Sequence, residues 1–195
     1  MLFRSFDQRR GFEYIATAGG LRGNLVPWIA WAPVGDHIAY FARTEKQKSL
    51  ILQNVVTGKI TQRIEMKTVD MPESPVFSPD GKRVAFSALD RGVADIYVVD
   101  LATGALTNVT KDAFADYAPA FSPDGRALVY TARISGNDKL FTLDLASGTK
   151  KQLTFGTHDD TGARFVDANT LLFVSTATDP NKAITPDRSE EHTSE

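Results

Sequence analysis

The chain has 195 residues, with 22 Lys and Arg against 24 Asp and Glu, 42% apolar residues and no cysteine. That length and balance can bury a sizeable core and exclude a disordered or collagen-like chain. A net charge of −2 with no basic run gives no general attraction to nucleic acid or an anionic membrane surface, and the lack of cysteine removes disulfides, thiolate nucleophiles and Cys-ligated metals.

Taken in chain order, the sequence reads as short strands between turns. Met1-Leu-Phe-Arg4 lacks the apolar stretch of a secretory signal. Leu2–Phe6 and Phe12–Thr17 read as strands around Asp7-Gln-Arg-Arg-Gly11, forming a half-unit over 1–20. Gly19-Gly20-Leu-Arg-Gly23 is read as a flexible connection rather than a phosphate-binding loop. Complete four-strand units are expected at 26–65, 73–110 and 117–154, with a second half-unit at 161–176. Arg188-Ser-Glu-Glu-His-Thr-Ser-Glu195 turns abruptly polar and acidic. It is read as a non-native tail, resembling translated adapter read-through, with a natural tail as the alternative. The segment that carries these units is therefore set at 1–187, with both ends expected to be cut.

The division rests on a repeat of two anchors. Phe77-Ser-Pro-Asp-Gly81 recurs 44 residues later as Phe121-Ser-Pro-Asp-Gly125, with weaker copies at Trp31-Ala-Pro-Val-Gly35 and Phe165-Val-Asp-Ala-Asn169. Asp100-Leu-Ala-Thr-Gly104 recurs in step as Asp144-Leu-Ala-Ser-Gly148, preceded by Asn54-Val-Val-Thr-Gly58. In the first anchor, Ser begins a type I turn, Pro fixes φ at the next position, and Gly supplies the following left-handed residue. In the second, the Asp or Asn side chain caps the backbone and Gly closes a hairpin. Between anchors lie runs such as Arg83–Ala88, Asp95–Val99, Ala127–Ala132 and Lys139–Leu143, with strand length and composition. Ile96 and Val98 alternate with the equally apolar Tyr97 and Val99, so both sheet faces need cover.

Four short antiparallel strands per repeat, each sheet stacked on its neighbours, specify an all-β fold: a β-propeller arc of four-stranded antiparallel blades. Three whole blades and two half-blades give sixteen expected strands. An arc is preferred, and a closed four-bladed ring is arithmetically open.

The aromatic-Ser-Pro-Asp-Gly-Lys/Arg turn and the Asp-Leu-x-Thr/Ser-Gly turn resemble the WD40-like repeat of TolB-type β-propellers, strongly over 70–157. Val34 departs from the pattern, as does the missing Ser-Pro at Phe165–Asn169. The resemblance implies a non-catalytic periplasmic propeller of the Tol–Pal system that binds envelope proteins such as peptidoglycan-associated lipoproteins. Similar repeats also form the propellers of prolyl-oligopeptidase-like and tricorn-like serine peptidases, whose hydrolase domain would lie outside this chain.

The residues themselves give no catalytic reading. There is no Gly-x-Ser-x-Gly elbow, no Walker or Gly-x-Gly-x-x-Gly loop and no His-Glu-x-x-His spacing. His37 and His158 are read as structural or solvated, and Asp80 and Asp124 as turn residues. His158-Asp159-Asp160 is a weak cation signal on a loop, and no metal site or cofactor is assigned. Trp28, Trp31, Phe77, Phe121 and Phe165 are read as repeated core packing rather than an aromatic binding stripe.

Binding in a propeller belongs to loops and the channel rim, because blades are committed to packing. The second-to-third-strand loops carry Arg43, Asp90, Arg91, Arg133, Asn137 and Asp138. The loops entering each blade carry Asp112, Asp116, Tyr117, His158, Asp159 and Asp160. Both sets are expected on one face, as a mixed-charge rim for a protein or peptide partner. A purely architectural sensor or receptor propeller is the third reading.

Overall fold

The computed structural model describes residues 14–15, 28–43 and 47–178. The expected strand Leu2–Phe6, the Gly19–Gly23 connection and the tail from Arg188 lie outside the described residues. No helix occurs among the described residues, and the fold is all-β.

The first sheet holds β1 (Tyr14–Ile15), β2 (Ile29–Trp31), β3 (His37–Arg43), β4 (Lys48–Asn54) and β5 (Ile60–Glu65). The second runs β6 (Asp70–Phe77), β7 (Arg83–Asp90), β8 (Val93–Asp100) and β9 (Leu106–Asn108). The third runs β10 (Ala115–Phe121), β11 (Ala127–Ile134), β12 (Asn137–Asp144) and β13 (Lys150–Gln152). β14 (Asp160–Phe165) and β15 (Leu171–Ser175) form a two-stranded fourth sheet. All pairings are antiparallel, and all but β1 with β3 join sequence neighbours. The first strands touch across sheets, β2 with β6, β6 with β10 and β10 with β14, and so form the inner edge of an open propeller arc.

The described part of Phe12–Thr17 departs from the expected preceding half-blade. Tyr14 and Ile15 pair with Arg43 and Ala42, in the same sheet as β2. β2 covers β3 only as far as Tyr40, which leaves the end of the longer strand open for β1.

Each turn anchor is built as its residue types require. Asp80 Oδ1 accepts the Ser78 hydroxyl at 2.5 Å and the Lys82 N–H at 3.1 Å, and Ser78 Oγ accepts the Arg83 N–H at 2.9 Å. Ser122, Asp124, Arg126 and Ala127 repeat the same set. Gly81 and Gly125 sit at φ of 68° and 70°, and a Cβ there would meet Pro33 and Pro79, so successive turns stack on one another. In the second anchor, Asp100 Oδ1 accepts the Thr103 N–H and hydroxyl, both at 2.8 Å, and Asp144 does the same with Ser147.

The core is divided into layers between sheets by strand alternation. Val84, Phe86, Tyr97 and Val99 face the first sheet, packing with Phe41, Leu50 and Met66. Ala85, Ile96 and Val98 face the third, packing with Phe121, Leu128 and Tyr130. Val129 and Leu140 meet Ala163, Phe165 and Phe173 of the fourth. Phe86, fully buried, lies 4.9 Å from Phe41 edge-on and stacks on Tyr97 at 5.9 Å. Phe77 and Phe121 are core residues as expected, but Trp31 is 59% exposed. Leu172 and Val174 are also exposed, on a sheet of only two described strands.

Candidate functional site

Polar side chains gather where one sheet's second hairpin meets the next sheet's entering loop. At the third-to-fourth junction, β11 and β12 turn through Ser135 and Gly136, both at positive φ. This tight hairpin brings Arg133 opposite Asp138, with Nη1 3.4 Å from Oδ1, while Nη2 donates to Gly136 O at 3.0 Å. Asp138 also faces Tyr117 of β10, whose hydroxyl is held well above its ordinary pKa by burial first and by Asp138 next. The Asp138 N–H donates to Asp159 Oδ1 at 3.0 Å, and the Asp159 N–H donates to Thr176 Oγ1 at 2.9 Å. Tyr117, Arg133, Asp138 and Asp159 are thereby brought together from two blades. Asn137 begins β12 beside them.

Asp116 and Asp160 differ from the exposed loop positions expected of them. Both are fully buried, at or near the starts of β10 and β14. Lys139, itself buried on β12, lies with Nζ 2.9 Å from Asp160 Oδ2, and also donates to Phe155 O (3.2 Å) and His158 O. His158 therefore contributes its backbone carbonyl to a structural ion pair, while its Nε2 is buried without a hydrogen-bond partner. The three residues His158, Asp159 and Asp160 do not converge on one point: each faces a different partner.

A left-handed residue recurs in the inner strand, with Ser74 at φ 52°, Ala118 at 52° and Gly162 at 66°. The β10–β11 register shifts across Ala118, and the β14–β15 register shifts across Gly162. Such bulges re-aim neighbouring side chains, here Asp116 and Tyr117 on the N-terminal side of the bulge. The sequence reading missed this device, and Gly162, 44 residues after Ala118, was its one visible trace.

The other candidates stand apart from this group. Arg91 occupies an exposed hairpin tip at φ 54°, with Nε 3.7 Å from Asp90 Oδ1. Arg43 ends β3, exposed, and helps to hold the Asp70 carboxyl below its ordinary range behind the larger effect of Lys48.

A family model described as TolB beta propeller domain matches residues 24–194. The Tol-Pal system protein TolB of Francisella tularensis subsp. holarctica is 34% identical over 90 residues, covering 45% of this chain and 20% of that protein. Dipeptidyl-peptidase 5 of Porphyromonas gingivalis is 29% identical over 103 residues, covering 44% of this chain and 15% of that one. Among solved structures, TolB from Acinetobacter baumannii matches with a TM-score of 0.60 at 26% identity, covering 80% of this chain and 41% of that one. The chain spans well under half the length of each of these relatives. With four-stranded antiparallel sheets in an open arc and a match over most of its length, the chain belongs to the TolB β-propeller domain family.

Proposed function

We propose that this chain is the partner-binding propeller of a cell-envelope protein, TolB-like and without catalysis of its own. The observation that carries this reading is the group at the third-to-fourth junction. Tyr117 and Arg133, residue types enriched at binding hot spots, stand there over a hydrogen-bonded acidic support from Asp138 and Asp159. Arg133 is about half exposed, so its guanidinium can exchange Asp138 for an incoming carboxylate or carbonyl. Asp90, Arg91, Arg43, Asn137, His158 and Asp159 extend the loop face to which a protein or peptide would dock. Periplasmic location and an envelope lipoprotein as the partner are part of the same proposal, supported by the likeness to Tol-Pal system proteins.

A pull-down with the full-length protein against envelope lipoproteins tests it. Recovery of a lipoprotein that is lost on Arg133→Ala is the expected result, and recovery of nothing would count against the proposal.

A second reading is favoured by the likeness to dipeptidyl-peptidase 5: a propeller that gates substrate access to a serine peptidase domain. A reading frame in the source DNA that runs on into a Gly-x-Ser-x-Gly hydrolase domain would select it over the first.

A further inference from the structure

The fold sets equivalent buried positions at two junctions against opposite electrostatic answers. At the third-to-fourth junction, Lys139 of one sheet meets Asp160 of the next. At the second-to-third junction, one repeat of 44 residues before Lys139 and Asp160, stand Asp95 and Asp116, two carboxylates. The equivalence is structural as well as numerical. Ile96 N–H donates to Thr110 Oγ1 and Leu140 N–H to Thr154 Oγ1, each at 2.9 Å, so the same threonine clasp borders both places.

Asp95 and Asp116 are both buried, and neither carboxylate oxygen of Asp116 has a hydrogen-bond partner. Asp112, on the loop entering β10, completes the group, and one carboxylate oxygen from each of the three lies within 4.8 Å of the others. Oxygens on opposite sides of a calcium ion stand about 5 Å apart, so this spacing fits a shared hard cation. The other polar groups present do not fill the centre. Lys150 Nζ is engaged by Asp112 Oδ2 and Thr110 O. Asn108 donates to Asp95 Oδ2 at 2.8 Å, and Thr110 Oγ1 lies 3.3 Å from Asp95 Oδ1. Three carboxyl groups therefore share one ammonium at this junction. Burial, with Asp112 and Asp95 adding to it and Thr110 and Lys150 opposing, pushes the Asp116 carboxyl up to about 7.

We propose that Asp95, Asp112 and Asp116 hold a divalent cation of the calcium class, which takes at this junction the place that the Lys139 ammonium has at the next. A hard, oxygen-only set with irregular geometry suits calcium better than magnesium, which demands near-ideal octahedral coordination. The ion would tie the loop entering β10 to β8 of the preceding sheet, two segments joined otherwise by Asn108 and Thr110.

The test uses the whole chain, freed of metal with a chelator and titrated with calcium chloride alone, then with magnesium chloride. Thermal melting and terbium luminescence excited through tyrosine give two independent readouts, since Tyr97 and Tyr130 adjoin the acidic group. At about a hundred times its dissociation constant, calcium should raise the melting midpoint by roughly 5–10 °C. Asp116→Asn should abolish both responses. Asp95→Lys copies the Lys139–Asp160 pair; it should raise the midpoint without calcium and remove the calcium response, and it carries the test if Asp116→Asn fails to fold. A parent chain that answers neither calcium nor terbium overturns the proposal. So does a folded Asp116→Asn or Asp95→Lys variant that keeps the parent's response.

Discussion

Replacing Lys139 by Met isolates what holds the third sheet to the fourth. Met keeps the length and much of the volume of the side chain but removes the ammonium. Asp160, fully buried, loses its partner at 2.9 Å, and the carbonyls of Phe155 and His158 lose a donor. Removing one member of a buried ion pair destabilises by about 3–5 kcal/mol, because the remaining charge stays out of water without compensation. With a urea dependence near 2 kcal/mol per molar, that is a fall of about 1.5–2.5 M in the unfolding midpoint, followed by far-ultraviolet circular dichroism. Asp160→Asn made in the Lys139→Met background removes the stranded charge. It should recover roughly half or more of the loss, the residue being an imperfectly satisfied amide. A single variant that shifts the midpoint by less than about 0.5 M, or a double variant no better than the single, would refute the view that this junction depends on charge pairing.

Three further outcomes follow from the same structure. Asp80, Asp100, Asp124 and Asp144 have carboxyls held below their ordinary range, Asp80, Asp100 and Asp124 chiefly by Ser or Thr hydroxyls and Asp144 chiefly by the Ser147 N–H. A lowered folded value means stability that is full above the unfolded carboxyl pKa and is lost as pH falls through the folded one. An acid titration of urea midpoints should therefore drop below about pH 4, and Asp124→Asn should flatten the drop; an unchanged slope would contradict the turn geometry. Phe86→Ala empties the layer between the first two sheets and should destabilise by about 3–5 kcal/mol in denaturant unfolding, with a loss under 1 kcal/mol counting against a close-packed layer there. Ala118→Gly relieves a left-handed alanine at a site where the next repeat already has Gly162, and should stabilise by about 0.5–1 kcal/mol in the same assay. Destabilisation would mean that the bulge is held by something other than backbone preference.

The turns and the alternation were legible because each is a local rule. Ser78, Pro79, Asp80 and Gly81 form a turn through bonds among themselves and their immediate neighbours, so a repeat in sequence is a repeat in structure. Ile96 and Tyr97 lie on opposite faces of one strand whatever the sheet packs against. Burial across blades was not legible in the same way. Asp116 and Asp160 look like loop residues, and only the packing of one sheet on the next removes them from water. The clue available was alignment at the step of 44, which sets Asp95 against Lys139 and Asp116 against Asp160. Comparison of equivalent positions finds such a change of charge, whereas a search for ligand spacing along the chain does not. Trp31 shows the limit of the repeat: it occupies the aromatic place of Phe77 and Phe121 but stays exposed.

The most direct measurement is calorimetric titration of the full-length protein with the soluble domain of a peptidoglycan-associated lipoprotein. Binding through the loop face predicts saturable heat, with affinity reduced roughly tenfold or more by Arg133→Ala or Tyr117→Ala and unchanged by substitution of the exposed Lys59 in the β4–β5 turn, at the opposite end of the strands. Absence of saturable binding, or binding that neither loop-face substitution weakens, would contradict it.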